Sequence, residues 1–188
     1  WMNQWPVLFL SFKDVDGNCF ENAYEMLKFA LSQACITHTY LQQDPKIDDT
    51  FQKKFSALKD QTASLQEVKT SILILMQMMR DHYGKPVILL IDEYDVPIAK
   101  ASAKGYYPEM LEVIKGLMST ALKDNDALRF AVITGCLRIA KESIFTGTNN
   151  FVSDTISSSH LNEYFGFTQA DVDQILKDAD CMEHADDI

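Results

Sequence analysis

An acidic pair, Asp92-Glu93, directly follows the apolar run Val87 to Ile91. A buried strand of this kind would bring Asp92 to the carboxyl edge of a sheet, where open α/β folds bind their ligands. A carboxylate at that edge can hold Mg²⁺, usually through water, beside the phosphates of a nucleotide. The adjacent Glu93 can orient or deprotonate an attacking water. The segment therefore predicts a Walker B element, although a plain strand end, where turns and solvent favour acidic residues, gives the same pattern.

A second apolar run, Leu128 to Thr134, ends in a polar residue and is closed by Gly135. The tip of a neighbouring strand is where a side chain would sense the γ-phosphate or the water, which makes Thr134 a candidate sensor. Arg138 lies four residues further on and could reach a phosphate. The alternatives are a strand-end cap for Thr134 and an ion pair with Glu93 or Asp95 for Arg138. The predicted catalytic residues are Glu93, Thr134 and Arg138, and the nucleotide-binding set adds Asp92, which would hold Mg²⁺ through water.

The elements that must position these residues alternate between strands and helices. Besides the two runs above, the patterning predicts strands at Val7–Phe12 and Phe151–Ile156, and helices at Phe20–Leu41, Asp48–Leu58, Ser64–Tyr83, Tyr106–Lys123, Ile139–Phe145 and Gln169–Ala179. Ser64 with Glu67 forms a capping-box pattern, and Thr168 is placed to cap the last helix. Strands separated by helices indicate the α/β class, with a three-layer parallel sheet flanked by helices.

The charge, the apolar runs and the cysteines of the chain argue against some classes of function. The chain has 188 residues, a net charge of -10 and a pI near 4.7, which argues against a nucleic-acid surface because phosphate binding needs clustered cations. Its apolar runs are far shorter than the roughly 20 residues of a membrane span. We expect a cytoplasmic protein with reduced thiols, since the four cysteines are scattered and the sequence opens without a signal peptide.

The chain resembles the bacterial predicted AAA-ATPase-like proteins over roughly residues 5 to 178. The similar stretches are Trp5-Pro6-Val7, Lys85 to Pro97, Gly105 to Tyr107, Leu122 to Asn125, Ala131 to Gly147, Asn149-Asn150 and Phe165 to Thr168. The resemblance implies a P-loop NTPase core of the AAA/STAND type that uses ATP and Mg²⁺. It implies a core at residues 1–168, followed at 169–188 by the start of a lid helix and an acidic tail.

Three departures from this family are visible in the sequence. No G-x-x-x-x-G-K-[ST] loop occurs in the 188 residues, Thr148 stands where leucine is more common, and the 188 residues include no nuclease domain. We read the start at Trp1 as a cut and expect a fragment that lacks the Walker A segment and binds ATP and Mg²⁺ weakly or not at all by itself. The alternative is a non-catalytic protein-interaction module with the shape of an NTPase.

The resemblance also has a consequence for the sheet. It places the Walker A strand beside the strand that ends in Thr134, so the absence of that strand leaves an apolar edge. We expect self-association through this edge.

One further motif could hold a metal. The segment Asp14 to Glu25 has oxygen-bearing side chains at the spacing of a calcium loop, but Cys19 stands where such loops need glycine. A strand-to-helix turn is the preferred interpretation.

Overall fold

The computed structural model of the chain describes residues 4–136, 152–155, 158, 164 and 166–181. The chain divides into two compact units, residues 1–148 and 149–188. The predicted helix at Ile139–Phe145 lies outside the described residues. The strand predicted at Phe151–Ile156 is wrong over its described part, because residues 152–155 do not form a strand.

The first unit contains a parallel sheet whose three described strands are β1 (Val7–Ser11), β2 (Val87–Asp92) and β3 (Leu128–Ile133). Their order is β1-β2-β3, and both pairings are parallel. The apolar run that ends at Asp92 is therefore the central strand, as predicted. The α/β class and the parallel sheet flanked by helices are confirmed.

Helices connect the strands. They are α1 (Phe20–Thr37), a short 3-10 helix (Thr39–Gln43), α2 (Asp49–Lys59), α3 (Leu65–Lys69), α4 (Ser71–Tyr83), α5 (Val96–Lys104) and α6 (Tyr107–Leu122). In the second unit, the described helix is α7 (Gln169–Asp178). The predicted capping box of Ser64 and Glu67 is present at α3, and the predicted cap Thr168 at α7 forms a capping box with Asp171.

Three helices differ from their predictions. The helix predicted over Phe20–Leu41 ends at Thr37, and a 3-10 helix follows it. The single helix predicted from Ser64 to Tyr83 is broken at Thr70, whose hydroxyl donates to the carbonyl oxygen of Gln66 at 3.0 Å. Threonine readily satisfies backbone groups in this way and so competes with a continuous helix. Helix α5 was not predicted, although Pro97 lies in its first turn and Gly105 ends it with a φ of 84°, which are regular start and stop signals.

The two faces of the sheet are unequally covered. Leu8, Leu10, Leu89 and Ile91 are at most 2% exposed. Helix α1 packs against β1, α4 against β2 and α6 against β3. On the opposite face, the two outer strands β1 and β3 expose large apolar side chains. These are Val7 (42% exposed), Phe9 (58%), Phe130 (37%) and Val132 (47%).

Candidate functional site

The polar residues at the tips of β2 and β3 are in direct contact. The Thr134 hydroxyl donates a hydrogen bond to Asp92 Oδ1 at 2.6 Å. The Thr134 N–H donates to the carbonyl oxygen of Ile91 at 2.9 Å, which continues the ladder one residue beyond the end of β3. Asp92 is half-buried and Thr134 is exposed. The two predicted site residues thus form one pair at the carboxyl edge of the sheet.

Glu93 leaves the strand through an unusual backbone conformation. Its φ is 53°, in the left-handed region that non-glycine residues seldom adopt. The turn is held because the Tyr94 N–H donates to the carbonyl oxygen of Thr134 at 3.1 Å. This contact ties the residue after Glu93 to the tip of β3, so Glu93 follows Asp92 at the same edge but departs from the strand direction. Strain of this kind is common where a side chain must be aimed for function.

Gly135 lets the two strand tips approach each other. A Cβ at this position would lie 2.4 Å from Asp95 Oδ1 and 2.8 Å from the Tyr94 ring. Asp95 is 2% exposed, and burial, followed by the charge of Asp95, raises the pKa of Tyr94. A side chain at 135 would push apart the turn that carries Glu93.

Ser11 belongs to the same edge and was missed by the sequence analysis. The register of β1 and β2 places Ser11 beside Asp92, and the Phe12 N–H donates to the carbonyl oxygen of Asp92 at 3.0 Å. Side chains alternate along strands, so Ser11 and Asp92 lie on the same face of the sheet. The apolar run from Val7 was recognised, but only the register shows which of its last residues meets Asp92.

The comparison with known proteins assigns the chain to a family. The family model described as Predicted AAA-ATPase matches residues 1–145, well over half of the chain. The chain belongs to the predicted AAA-ATPase family. A relative is the "Uncharacterized protein in vnfD 5'region" of Azotobacter chroococcum mcd 1, which is 36% identical over 97 residues. That match covers 50% of this chain and 18% of the relative's length. No solved structure matches the chain.

In this member of the predicted AAA-ATPase family, the edge carries side-chain oxygen atoms of the types that a hard cation accepts. Asp92 contributes a carboxylate, and Thr134 and Ser11 contribute hydroxyls, which are the donor types that Mg²⁺ accepts. Within the described ranges, no group of three or more His, Cys, Asp or Glu side chains is placed to hold a metal. Arg138, the predicted phosphate contact, lies outside the described residues.

The calcium-loop alternative does not fit the geometry of its residues. The Asp16 carboxylate accepts hydrogen bonds from Lys104 Nζ at 2.6 Å and from the Gly17 N–H at 2.7 Å. Lys104 first, and then the Gly17 N–H, hold the pKa of Asp16 below its usual value. The carboxylate is thus already bound to a cation, and the segment acts as the turn between β1 and α1.

A second polar cluster lies where α4 ends, four residues before β2 begins, and so at the amino edge of the sheet. The Asp44 carboxylate pairs with His82 and accepts from the Lys46 N–H at 2.8 Å. The Lys46 N–H and then His82 lower the pKa of Asp44. The Tyr83 hydroxyl donates to the Tyr40 hydroxyl at 3.0 Å. These contacts fasten the 3-10 helix to the end of α4, away from Asp92.

The described helices were compared with the length and hydropathy that a membrane span requires. None of them is long and apolar enough to cross a bilayer.

Proposed function

We propose that Asp92 and Glu93 form the Walker B element of an ATPase and that Thr134 is its sensor residue. The observation that carries the proposal is the 2.6 Å hydrogen bond between the Thr134 hydroxyl and Asp92 at the carboxyl edge of a parallel sheet. Ligands of open α/β sheets bind at this edge. The family match supports an ATPase-like domain.

Each residue has a separate task in this proposal. Bound Mg–ATP would supply the γ-phosphate and the cation that neutralises its charge. Asp92 holds the hydrated cation, and the Thr134 hydroxyl fixes the orientation of the Asp92 carboxylate. Glu93, aimed by its left-handed turn, accepts a proton from the attacking water.

The phosphates of ATP also need a binding loop, which supplies backbone N–H groups and a lysine side chain. No G-x-x-x-x-G-K-[ST] loop occurs in the 188 residues. We therefore assign the phosphate-holding part of the site to a segment outside them and expect the 188 residues alone to bind Mg–ATP weakly.

The proposal is tested by replacing Asp92 with asparagine in the full-length gene product. Asparagine keeps the size of the side chain but loses the charge that holds the cation, so we expect Mg²⁺-dependent ATP turnover to fall by about 100-fold or more. Turnover is measured by phosphate release over a range of Mg²⁺ concentrations.

The matched control is Asp126→Asn. Asp126 is 81% exposed in its side chain and pairs with Arg80 at the surface, where an ion pair contributes little. Asp126→Asn should leave turnover unchanged. A full-length protein without Mg²⁺-dependent turnover, or one that is insensitive to Asp92→Asn, would refute the proposed function.

A further inference from the structure

Strand β1 has an outer edge that no strand of the described residues covers, because β1 pairs only with β2. The Phe12 N–H and the carbonyl oxygen of Pro6 both bond to β2. Alternate residues of a parallel strand bond to the same neighbour, so the backbone groups of Val7, Phe9 and Ser11 point toward the outer edge. The Walker A strand that the resemblance implies belongs beside β3, on the other side of the sheet, and would leave this edge open.

A groove of about 720 Å³ lies between this edge and helix α1. One wall is the segment Phe9 to Ser11 of β1, and the other is a stripe of α1 that includes Met26, Phe29, Gln33 and Thr37. The spacing of three or four residues puts these four side chains on one side of the helix. Met26 is 36% exposed and Phe29 is 46% exposed, so both offer apolar surface. The β1 and α1 walls of the groove carry no charged side chain.

The two walls have similar lengths. Residues Met26 to Thr37 of α1 extend over about 16 Å at 1.5 Å per residue. The five residues of β1 extend over about the same distance at 3.3 Å per residue. The groove therefore has the length of an extended segment of about five residues.

Charge distinguishes one end of the groove. Lys13, just after β1, and Lys100 of α5 both line it at the carboxyl end of the strand. Within the described residues, neither lysine forms an ion pair. Asp14 and Asp16 lie at the same end, but Lys104 pairs with Asp16 at 2.6 Å. Three lysines thus face two aspartates, which is a local positive charge on a chain of net charge -10.

We propose that the groove binds an extended apolar segment of a partner protein, which adds a strand to β1 and places an acidic residue beside Lys13 and Lys100. The outward backbone groups of Val7, Phe9 and Ser11 bond to the added strand, as in other cases of strand addition to a sheet edge. Every second side chain of the segment packs against the apolar stripe of α1.

The free backbone groups favour an added strand over a bound helix. A helix bonds its own N–H and C=O groups internally, so it would leave those of β1 unused. Electrostatic complementarity favours an acidic end, because a basic end would be repelled by the lysines. The proposal does not rest on the ATPase assignment, and it is tested on the 188-residue chain without nucleotide.

The first experiment is a selection from a phage-displayed library of random nine-residue peptides. We expect enriched sequences with alternating apolar residues and an acidic residue at one end. The same library is selected against Phe29→Asp, which puts a charge on the apolar stripe and should abolish the enrichment. No enrichment on the unmodified chain, or enrichment of basic sequences, would overturn the proposal.

The second experiment measures the affinity of the most enriched peptide, labelled with fluorescein, by fluorescence anisotropy. We expect Lys100→Glu to weaken binding by about fivefold or more and Phe29→Asp by about tenfold or more. The matched controls are Lys115→Glu on α6 and Leu65→Asp on α3, which are exposed positions outside the groove. Circular dichroism checks that each variant is folded. Equal affinities of the groove variants and their controls would contradict the proposed site.

The third experiment tests strand addition itself by methylating the peptide's backbone nitrogens one at a time. An added strand bonds to β1 through alternate residues, so methylation should weaken binding by about tenfold or more at every second position. The positions between should tolerate it. Equal loss at all interior positions, or a helical circular dichroism signal from the bound peptide, would mean that the segment does not bind as a strand.

Discussion

Replacing Glu93 with glutamine is expected to reduce ATP hydrolysis by the full-length protein by about 100- to 10,000-fold, the usual contribution of a general base. Glutamine preserves the size of the side chain and the strained turn, whose φ is 53°, but cannot accept the proton of the attacking water. Since Glu93 does not hold the cation in this account, ATP affinity should change by less than about threefold. Hydrolysis is measured by phosphate release and affinity by calorimetry.

The control for this variant is Glu25→Gln. Glu25 lies on α1, is 62% exposed in its side chain and pairs with Lys28 at 2.7 Å. The loss of an ion pair made by an exposed carboxylate costs little. The control variant should hydrolyse ATP at the unmodified rate. If Glu93→Gln retained full turnover, Glu93 would not be the base. If it lost ATP binding as well as turnover, Glu93 would have a role in holding the ligand.

Gly135→Ala is expected to destabilise the folded chain by about 1–3 kcal/mol, the range found for overpacked sites. The added Cβ would lie 2.4 Å from Asp95 Oδ1 and 2.8 Å from two atoms of the Tyr94 ring. Asp95 is almost fully buried, so its carboxylate has little room to move aside. The free energy of unfolding is measured by urea denaturation of the 188-residue chain at one fixed protein concentration.

Gly116→Ala provides a control of opposite sign. Gly116 lies within helix α6, and the three atoms nearest to its added Cβ would all belong to the side chain of Lys69, the closest at 2.9 Å. That flexible side chain can shift, and alanine is favoured over glycine in a helix by about 0.5–1 kcal/mol. We expect Gly116→Ala to be neutral or stabilising. Equal effects of the two substitutions would mean that the contacts of Gly135 do not hold the strand tips together.

The local sequence was sufficient to predict the strands that carry the site. The uninterrupted apolar run before Asp92 gave the central strand, and the run before Thr134 gave its neighbour, because strands buried in a parallel sheet need apolar side chains on both faces. The capping box at Ser64 and the cap at Thr168 were also predicted, since each involves residues only three positions apart. Because the carboxyl ends of neighbouring parallel strands lie at the same edge of a sheet, the two strands also predicted that Asp92 and Thr134 lie close together.

Other features of the site depend on contacts between distant residues. The left-handed conformation of Glu93 is stabilised by a hydrogen bond from Tyr94 to Thr134, forty residues further along the chain. The position of Ser11 beside Asp92 depends on the strand register, and the need for glycine at 135 depends on the packing of Tyr94 and Asp95. Neither the hydrophobic periodicity of the sequence nor its turn-forming residues predict such contacts.

The most direct test of the proposed site is paramagnetic NMR of the 188-residue chain with Mn²⁺–ATP. Mn²⁺ replaces Mg²⁺ among oxygen ligands and broadens the amide signals of nearby residues even when binding is weak. We expect selective broadening at Asp92, Glu93, Thr134 and Gly135, which is lost in Asp92→Asn and retained in Asp126→Asn. Broadening centred on Asp14 to Gly17 or on Asp44 and His82, or a pattern unchanged by Asp92→Asn, would contradict the assignment of Asp92 as the residue that holds the cation.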